Sequence, residues 1–134
     1  METIELIDKY KKELDEDCKI DMLNLRDAQM RLPAIKHKWT SRLINHKIEQ
    51  DKIKKLVNEA KATIIERQLA DSTVAMSRPS LEKQAENHDT VIRLKEKAKE
   101  EGFIIMYLEK VEQILRSVTF DIKNLVEIMK LEQL

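Results

Sequence analysis

The feature that most constrains the fold is the near absence of residues that turn or end a helix. The 134 residues include one glycine, Gly102, and two prolines, Pro33 and Pro79. Globular proteins use roughly 7% glycine and 5% proline. Tight turns need residues that tolerate a positive φ, so hairpin-rich β folds and α/β folds with glycine corners are disfavoured. The sequence predicts an all-α protein, and its charged fraction of 37% suits long helices with solvated faces.

Apolar spacing predicts two long helices with short N- and C-terminal helices, in a single domain. The expected segments of this domain, residues 1–134, are a short N-terminal helix with an acidic connector (1–20), a long basic helix (21–70), a second connector (71–88) and C-terminal oligomerisation helices (89–134). Pro33 lacks a backbone N–H, so we expect the basic helix to be kinked or broken there. Asp21 and Asp89 are candidate N-caps, because a carboxylate accepts the free N–H groups of a first turn.

The long basic helix carries one apolar stripe when its residues are placed on a helical wheel. The members of the stripe are Leu32, Ile35, Trp39, Leu43, Ile53, Val57, Ala60 and Ile64. His46 and Gln50 interrupt the stripe near its middle. Such a polar layer is typical of helical interfaces in which buried polar groups fix the register.

The C-terminal region carries a second apolar pattern, whose spacing of 4, 3, 4, 3 residues is that of a coiled-coil seam. We expect a bend near residues 117–120, followed by a further amphipathic segment. Aromatic residues make up only 4% of the chain, which favours long helices that bury their stripes against other chains. The candidate oligomerisation residues are Ile104, Tyr107, Leu108, Val111, Leu115, Val118, Phe120, Ile122, Leu125 and Met129.

Charge is distributed unevenly along a chain whose formal net charge is zero. Residues 1–25 carry a net charge of −4, residues 26–67 carry +6 and residues 68–134 carry −2. A basic middle between acidic flanks indicates one anion-binding segment. Basic residues lie along both edges of the apolar stripe, with Lys36, Lys47, Lys54 and Lys61 on one edge and Arg31, Lys38, Arg42 and Arg67 on the other.

Rows of basic side chains attract a phosphate backbone without reading its sequence. Trp39 lies among them and offers a ring on which a base can stack. The candidate DNA-binding residues are Lys36, Lys38, Trp39, Arg42, Lys47, Lys54, Lys55, Lys61 and Arg67. Two alternatives stay open at this point. The basic side chains can extend over a helical interface with only their charged ends in water, and Trp39 can belong to the core.

No pattern of residues indicates catalysis or metal binding. Cys18 is the only cysteine, so no intrachain disulfide forms and a reducing compartment suits the chain. His37, His46 and His88 lack the spacing of a helical zinc motif. A single glycine leaves neither a phosphate-cradling loop nor a nucleophile elbow. We therefore expect a cytoplasmic protein that is not an enzyme, without cofactor or metal, and without the roughly 20-residue apolar run of a membrane span.

Several short segments resemble the UvsY recombination mediators of T-even-type phages. The N-terminal half shows Lys19-Ile20-Asp21, Asn24-Leu25, Leu32-Pro33-Ala34-Ile35 and Lys38-Trp39. The C-terminal part shows Tyr107-Leu108-Glu109, Ile114-Leu115, Thr119-Phe120-Asp121-Ile122-Lys123-Asn124 and Val126-Glu127. These segments cover most of the chain in the order and at the spacing of the family.

The resemblance implies a helical subunit that assembles through its C-terminal helices into a closed hexameric or heptameric ring. It implies sequence-independent binding of single-stranded DNA in the cytoplasm of the infected host. It also implies contacts with a RecA-like recombinase, which the mediator loads, and with a single-strand-binding protein, which it loosens from DNA. One departure concerns a Leu-Lys-Ala-Arg-like stretch that the family links to DNA binding. Here it reads Ala60-Lys61-Ala62-Thr63, so Lys61 matches and the arginine is missing.

Two functional hypotheses follow. The first is a mediator whose ring binds single-stranded DNA on the basic surface and acts in recombination, repair and replication. The alternative is a structural coiled-coil or assembly-chaperone protein whose charges serve solubility only. Residues 31–55 hold 8 bases against 2 acids, and this bias of sign favours the mediator.

Overall fold

The computed structural model describes residues 2–71 and 76–133, and within these ranges the regular structure is entirely helical. In chain order the helices are α1 (Glu2–Asp17), α2 (Leu25–Asp71), α3 (Arg78–Glu86) and α4 (Asp89–Glu132). The predicted all-α fold with two long helices and additional short ones is confirmed. Residues 72–75, inside the predicted connector 71–88, lie outside the described residues.

The start of α2 is fixed by a reciprocal capping arrangement around Asp21. Its carboxylate oxygen Oδ1 accepts hydrogen bonds from the backbone N–H groups of Leu23 at 2.8 Å and Asn24 at 2.9 Å. In return, the backbone N–H of Asp21 donates to Oδ1 of Asn24 at 2.7 Å. These bonds satisfy backbone donors of the turn at residues 22–24, whereas α2 itself begins at Leu25, so the predicted N-cap Asp21 lies one turn ahead of the cap position. The preceding helix α1 extends to Asp17, so it takes up most of the predicted segment 1–20.

Pro33 lies inside α2 without breaking it, so the helix is continuous for 47 residues. Of the two predicted outcomes at Pro33, the break is excluded, and the kink stays a prediction. Proline removes one backbone hydrogen bond, and tertiary packing on both sides of the position can offset that loss. Ala28 precedes Pro33 and Ile35 follows it, and both are buried.

The predicted separate C-terminal helix is absent, because α4 continues through residues 117–120 to Glu132, and the bend expected there stays a prediction. The Thr119 hydroxyl donates to the Leu115 carbonyl at 2.8 Å, so this residue bonds back to its own helix. The cap of α4 was also placed one residue late. His88 holds that position, where its Nδ1 accepts from the Thr90 N–H at 3.2 Å, while Asp89 lies in the first turn.

The chain divides into two compact units, and the assignment of a single domain stays a prediction. Unit 1 comprises Met1–Asn45 and Ile104–Leu134. Its core joins α1, α2 and α4, and it encloses Trp39 and Leu108 completely. A second cluster packs Leu25 and Ala28 near the start of α2 against Val118 and Ile122 of α4, so the two long helices run antiparallel in this unit.

The predicted coiled-coil seam of α4 is part of this intrachain core. Ile104, Leu108, Val111 and Leu115 are buried with α1 and α2 of the same chain, and Val118 and Ile122 are buried against the start of α2. Their assignment as oligomerisation residues is therefore corrected: the seam satisfies its apolar surface within the subunit. Three other members of the set pack at the edge of these clusters, namely Tyr107, Leu125 and Met129. Phe120 differs from them, because 65% of it is exposed.

Unit 2 comprises His46–Phe103. Here Ile65 of α2 packs against Leu81 and Ala85 of α3. The predicted polar layer is present in this unit. His46 Nδ1 lies 2.7 Å from Glu101 Oε2, and Gln50 Nε2 donates to the Ala98 carbonyl at 3.1 Å.

Candidate nucleic-acid interface

One edge of α2 in unit 1 is occupied by α1 rather than open to a ligand. Trp39 is 0% exposed, and its ring lies edge-on to Tyr10 with centroids 5.6 Å apart. Its Nε1–H donates to Asp17 Oδ2 at 2.9 Å, which satisfies the indole donor inside the fold. Trp39 is therefore a core residue in this structure, and its assignment as a base-stacking platform is corrected.

The neighbouring basic residues of this edge are paired with carboxylates of α1. Lys38 Nζ donates to Glu13 Oε1 at 3.1 Å and to Asp17 Oδ2 at 2.5 Å. Arg42 binds Glu13 through both guanidinium nitrogens, with Nη1 to Oε2 at 2.6 Å and Nη2 to Oε1 at 3.1 Å. Its guanidinium also lies 4.7 Å from the centroid of Trp39. We call Glu13 and Asp17 the acidic clasp of α1.

The clasp removes the positive charge that this edge would offer to phosphate. The bidentate hydrogen bond from Arg42 lowers the pKa of Glu13 from 4.5 to about 2, with help from Lys38 and against the effect of burial. The same bond raises the pKa of Arg42. Two carboxylates therefore face two cations at neutral pH, and their formal charges cancel. Neither Lys38 nor Arg42 is available as a free cation in this arrangement.

The clasp was missed at the sequence level, although a signal for it exists. Glu13 and Asp17 are four residues apart on α1, and Lys38 and Arg42 are four residues apart on α2. Side chains four residues apart lie on the same face of a helix, so two such pairs of opposite charge can meet when the helices pack. Their separation of 21 to 29 residues along the chain hides the match.

The opposite edge of α2 in unit 1 is open. Lys36 and Thr40 are one helical turn apart on this edge, and they line a cleft of about 230 Å³ together with Glu112, Leu115 and Arg116 of α4. Of these residues, only Lys36 was assigned to DNA binding from the sequence. Arg116 was not a candidate from the sequence, and it lies 80 residues from Lys36 along the chain.

In unit 2, Lys47 and Lys54 are exposed, and neither has an ion-pair partner among residues 2–71 and 76–133. Lys61 continues the same edge seven residues further, but its ammonium lies 3.4 Å from Glu86 of α3. Lys55 pairs with Asp51 at 3.1 Å within α2, and both side chains are largely exposed, so water screens the pair. Of the lysines assigned to DNA binding, Lys47 and Lys54 are thus the two in unit 2 that keep no ion-pair partner in the described residues.

Arg67 is the remaining DNA-binding candidate of unit 2, and it follows the stretch 60–63, in which the arginine of the family is missing. Arg67 is exposed. The Thr63 hydroxyl, at the position where the family has arginine, donates to the Glu59 carbonyl of its own helix at 3.0 Å. Arg67 has no ion-pair partner within the described parts of the chain, whereas Thr63 supplies no charge at all.

The fold of this chain is similar to that of a phage recombination mediator. That mediator is UvsY of bacteriophage T4, and three of its crystal structures match this chain. The lattice type IV structure has a TM-score of 0.78 at 15% identity, covering 94% of this chain and 98% of the UvsY chain. The type II structure has a TM-score of 0.72 at 15% identity, with 94% and 96% covered. For type I the TM-score is 0.70 at 17% identity, with 91% and 97% covered.

The sequence matches no protein-family model and no curated protein. At 15–17% identity the structural likeness shows the fold alone, and that fold is UvsY-like. In the described parts of the chain, no helix combines the length and apolar character needed to cross a bilayer.

Proposed function

We propose that this chain is a recombination mediator in the cytoplasm of an infected host, where it acts in recombination, repair and replication. It binds single-stranded DNA without sequence specificity, loosens a single-strand-binding protein from it and loads a RecA-like recombinase. The observation that carries the proposal is the pair of exposed, unpartnered lysines on α2, Lys47 and Lys54, in a chain with the UvsY-like fold. No residue in the proposal performs covalent chemistry, so the protein is a binding module rather than an enzyme.

The spacing of these lysines suits a repeating polyanion. Residues seven apart on an α-helix lie about 10.5 Å apart on nearly the same face. Each ammonium is a compact, hydrated point charge on a flexible stem, which tolerates variation in phosphate position. Binding of this kind releases counterions and reads no bases. Arg67 lies on the other edge of α2 and adds a further exposed cation in unit 2.

A closed ring of subunits would make weak contacts sufficient, because each bound subunit raises the effective concentration of DNA at the next one. The buried seam of α4 cannot form the ring, so we assign the contact between subunits to apolar side chains that α4 leaves exposed in unit 1. These are Met106, Ile114, Phe120, Ile128 and Leu131. Phe120 is the one that belongs to the predicted oligomerisation residues.

A structural helical protein without a nucleic-acid role is the second candidate. It is favoured by the clasp and by the pair between Lys61 and Glu86, which neutralise basic residues inside the chain. Under this alternative, Lys47 and Lys54 serve solubility only. The two candidates differ in one measurable property, which is the affinity for single-stranded DNA at low salt.

The test is fluorescence anisotropy of a labelled oligo-dT strand titrated with the protein at several salt concentrations. Log K should fall linearly with log[salt], with a slope of about −0.7 for each phosphate neutralised. Lys47→Gln/Lys54→Gln should reduce this slope by up to about 1.4, the value for two phosphates. The matched control is Lys9→Gln/Lys12→Gln, which removes the same charge from exposed positions of α1.

Light scattering establishes whether each variant keeps the oligomeric state of the wild type. If well-folded wild-type protein does not bind oligo-dT at low salt, the mediator is excluded and the structural alternative takes its place. If both double variants lose the same affinity, binding depends on overall charge, and α2 is not the interface.

A further inference from the structure

The cleft between α2 and α4 of unit 1 combines an apolar floor with polar walls. Leu115, which is buried in the core, forms the floor. Lys36 and Thr40 line the cleft from α2, and Glu112 and Arg116 line it from α4. Every lining side chain except Leu115 can form hydrogen bonds, and three of them are ionisable.

The two cations of the cleft have no carboxylate partner within the parts of the chain that the structure describes. Neither Lys36 nor Arg116 forms an ion pair there at the 4.0 Å limit, and Glu112 lines the same cleft without reaching either of them. On the opposite edge of the same α2 segment, Lys38 and Arg42 are held by the clasp at 2.5–3.1 Å. Between Lys36 and Arg42, the cleft side of α2 is therefore the side on which a cation keeps no carboxylate partner in the described residues.

The charge balance of the cleft selects the kind of anion that fits. Two cations and one carboxylate give the lining a formal charge of +1. A phosphodiester carries one negative charge and would neutralise the lining. A phosphate monoester carries about −1.5 to −2 at pH 7 and would leave excess negative charge beside Glu112. The guanidinium of Arg116 suits two phosphate oxygens, Lys36 adds a point charge, and the Thr40 hydroxyl is a further donor.

The size of the cleft supports the same ligand. Its volume of about 230 Å³ is smaller than the roughly 300–1,000 Å³ of typical small-molecule pockets. The space suits one phosphate group with its ester oxygens and is small for a whole nucleotide with its base. A polymer that passes across the opening can place one backbone phosphate in the cleft and continue on both sides.

We propose that Lys36, Thr40 and Arg116 form a site that holds one backbone phosphodiester of single-stranded nucleic acid, with Glu112 limiting its affinity. This inference rests on the proposed function and adds to it a phosphate site in unit 1. In that unit, Arg116 and Thr40 take the role that the sequence had given to Lys38 and Arg42. The carboxylate of Glu112 keeps the bound strand exchangeable, because it repels the phosphate that the two cations attract.

The first test uses the salt slope, which counts phosphates rather than side chains. Oligo-dT binding is measured for the wild type, Lys36→Gln, Arg116→Gln and the double variant. If both residues hold one phosphate, the double variant lowers the slope by about 0.7, whereas two separate phosphates would give about 1.4. Lys110→Gln is the matched control on α4, because Lys110 is exposed in unit 1 and does not line the cleft.

The second test predicts a gain of affinity, which damage to the fold would not produce. Glu112→Gln removes the like charge beside the phosphate and should tighten oligo-dT binding about three- to tenfold at low salt. The control is Glu109→Gln, which removes the same charge from an exposed position of α4 outside the cleft and should change affinity by less than about twofold. Circular dichroism confirms that each variant is folded.

The outcomes separate this inference from the proposed function. If the wild type does not bind oligo-dT, both fail together. If it binds, and Lys36→Gln/Arg116→Gln changes the slope no more than Lys110→Gln, the cleft holds no phosphate while the mediator function stands. Equal effects of Glu112→Gln and Glu109→Gln would likewise overturn the phosphate site. A drop of about 0.7 in the double variant together with tighter binding by Glu112→Gln supports it.

Discussion

Glu13→Gln is expected to destabilise unit 1 at neutral pH and to have little effect near pH 2. Glu13 receives three hydrogen bonds from Lys38 and Arg42, at 2.6–3.1 Å. Glutamine keeps the shape of the side chain and one acceptor oxygen, but it removes the charge that both cations face. Each cation then stays part-buried with a weaker partner. Leaving a part-buried charge without its counter-ion accounts for most of the free-energy cost of breaking an ion pair.

The size of the effect follows from the pKa of Glu13. The pKa falls from an ordinary value of 4.5 to about 2, and this difference corresponds to about 3.4 kcal/mol at 1.36 kcal/mol per pKa unit. That figure is an upper bound, because 32% of the Glu13 side chain is exposed and water screens the pair. Allowing for screening by about half, Glu13→Gln should cost about 1.5–2 kcal/mol of unfolding free energy at neutral pH.

The pH dependence has a definite sign. A carboxyl whose pKa is lowered by folding binds fewer protons in the folded state, so its stabilisation is complete above its unfolded pKa. It is lost as the pH falls from 4.5 through about 2, where Glu13 becomes protonated in the folded state as well. The difference in stability between wild type and Glu13→Gln should therefore be constant above pH 5 and should disappear towards pH 2.

Urea denaturation across this pH range measures the difference. Trp39 is the only tryptophan and lies in the core of unit 1, so its fluorescence reports the unit that the substitution affects. Glu16→Gln is the matched control, because Glu16 lies on α1 with 72% of its side chain exposed, and its one ion pair within the described residues is with Lys19. A Glu13→Gln penalty no larger than that of Glu16→Gln, or one that persists unchanged at pH 2, would refute the clasp as a stabilising contact.

Three further predictions concern the core and the polar layer. Because Trp39 is enclosed, neither acrylamide nor saturating oligo-dT should quench its fluorescence strongly. Strong quenching by oligo-dT would restore the assignment of Trp39 as a base-stacking residue. Replacing Glu101 by leucine should lower the urea midpoint, because it removes the 2.7 Å contact between Glu101 Oε2 and His46 Nδ1; an unchanged midpoint would show that this contact adds no stability. Gly102→Ala should raise the free energy of unfolding by close to 1 kcal/mol in a Gln50→Ala background. The increase should be clearly smaller in the wild type, because the added Cβ would lie 3.2 Å from Gln50 Nε2. Equal increases in both backgrounds would show that this contact has no effect.

The helices and their register were predictable because they depend on local rules. Gly and Pro scarcity indicated helices, and the carboxylate of Asp21 identified the start of α2 to within its first turn. The apolar stripe identified Ile35, Leu43 and Val57 as buried residues, and its two polar members proved to be the polar layer of unit 2. Period and capping act over a few residues, so a single sequence contains the information.

The errors share a different cause, which is that tertiary packing decides them. Pro33 lowers helix stability locally, yet the flanking core holds α2 together. The coiled-coil spacing of Leu108 and Leu115 predicts that an apolar face is buried. It does not indicate whether the helix that covers this face belongs to the same chain or to another one. Here α1 and α2 cover that face. Arg116 was missed for the same reason, since its cleft partner Lys36 comes from a distant part of the sequence.

The charge bias of residues 31–55 shows why a count of basic residues overstates a binding surface. Residues 1–45 carry 9 acids and 9 bases, so the acidic N-terminal segment cancels the basic start of α2 when both fold into unit 1. The affinity for a polyanion depends on the cations that have no carboxylate within ion-pair distance. In unit 1 the clasp takes Lys38 and Arg42 and leaves Lys36 open. The same acids that anchor α1 to the core therefore decide which cations on this part of α2 stay unpaired, so under the proposed function one group of contacts sets both the stability of unit 1 and the position of its binding surface.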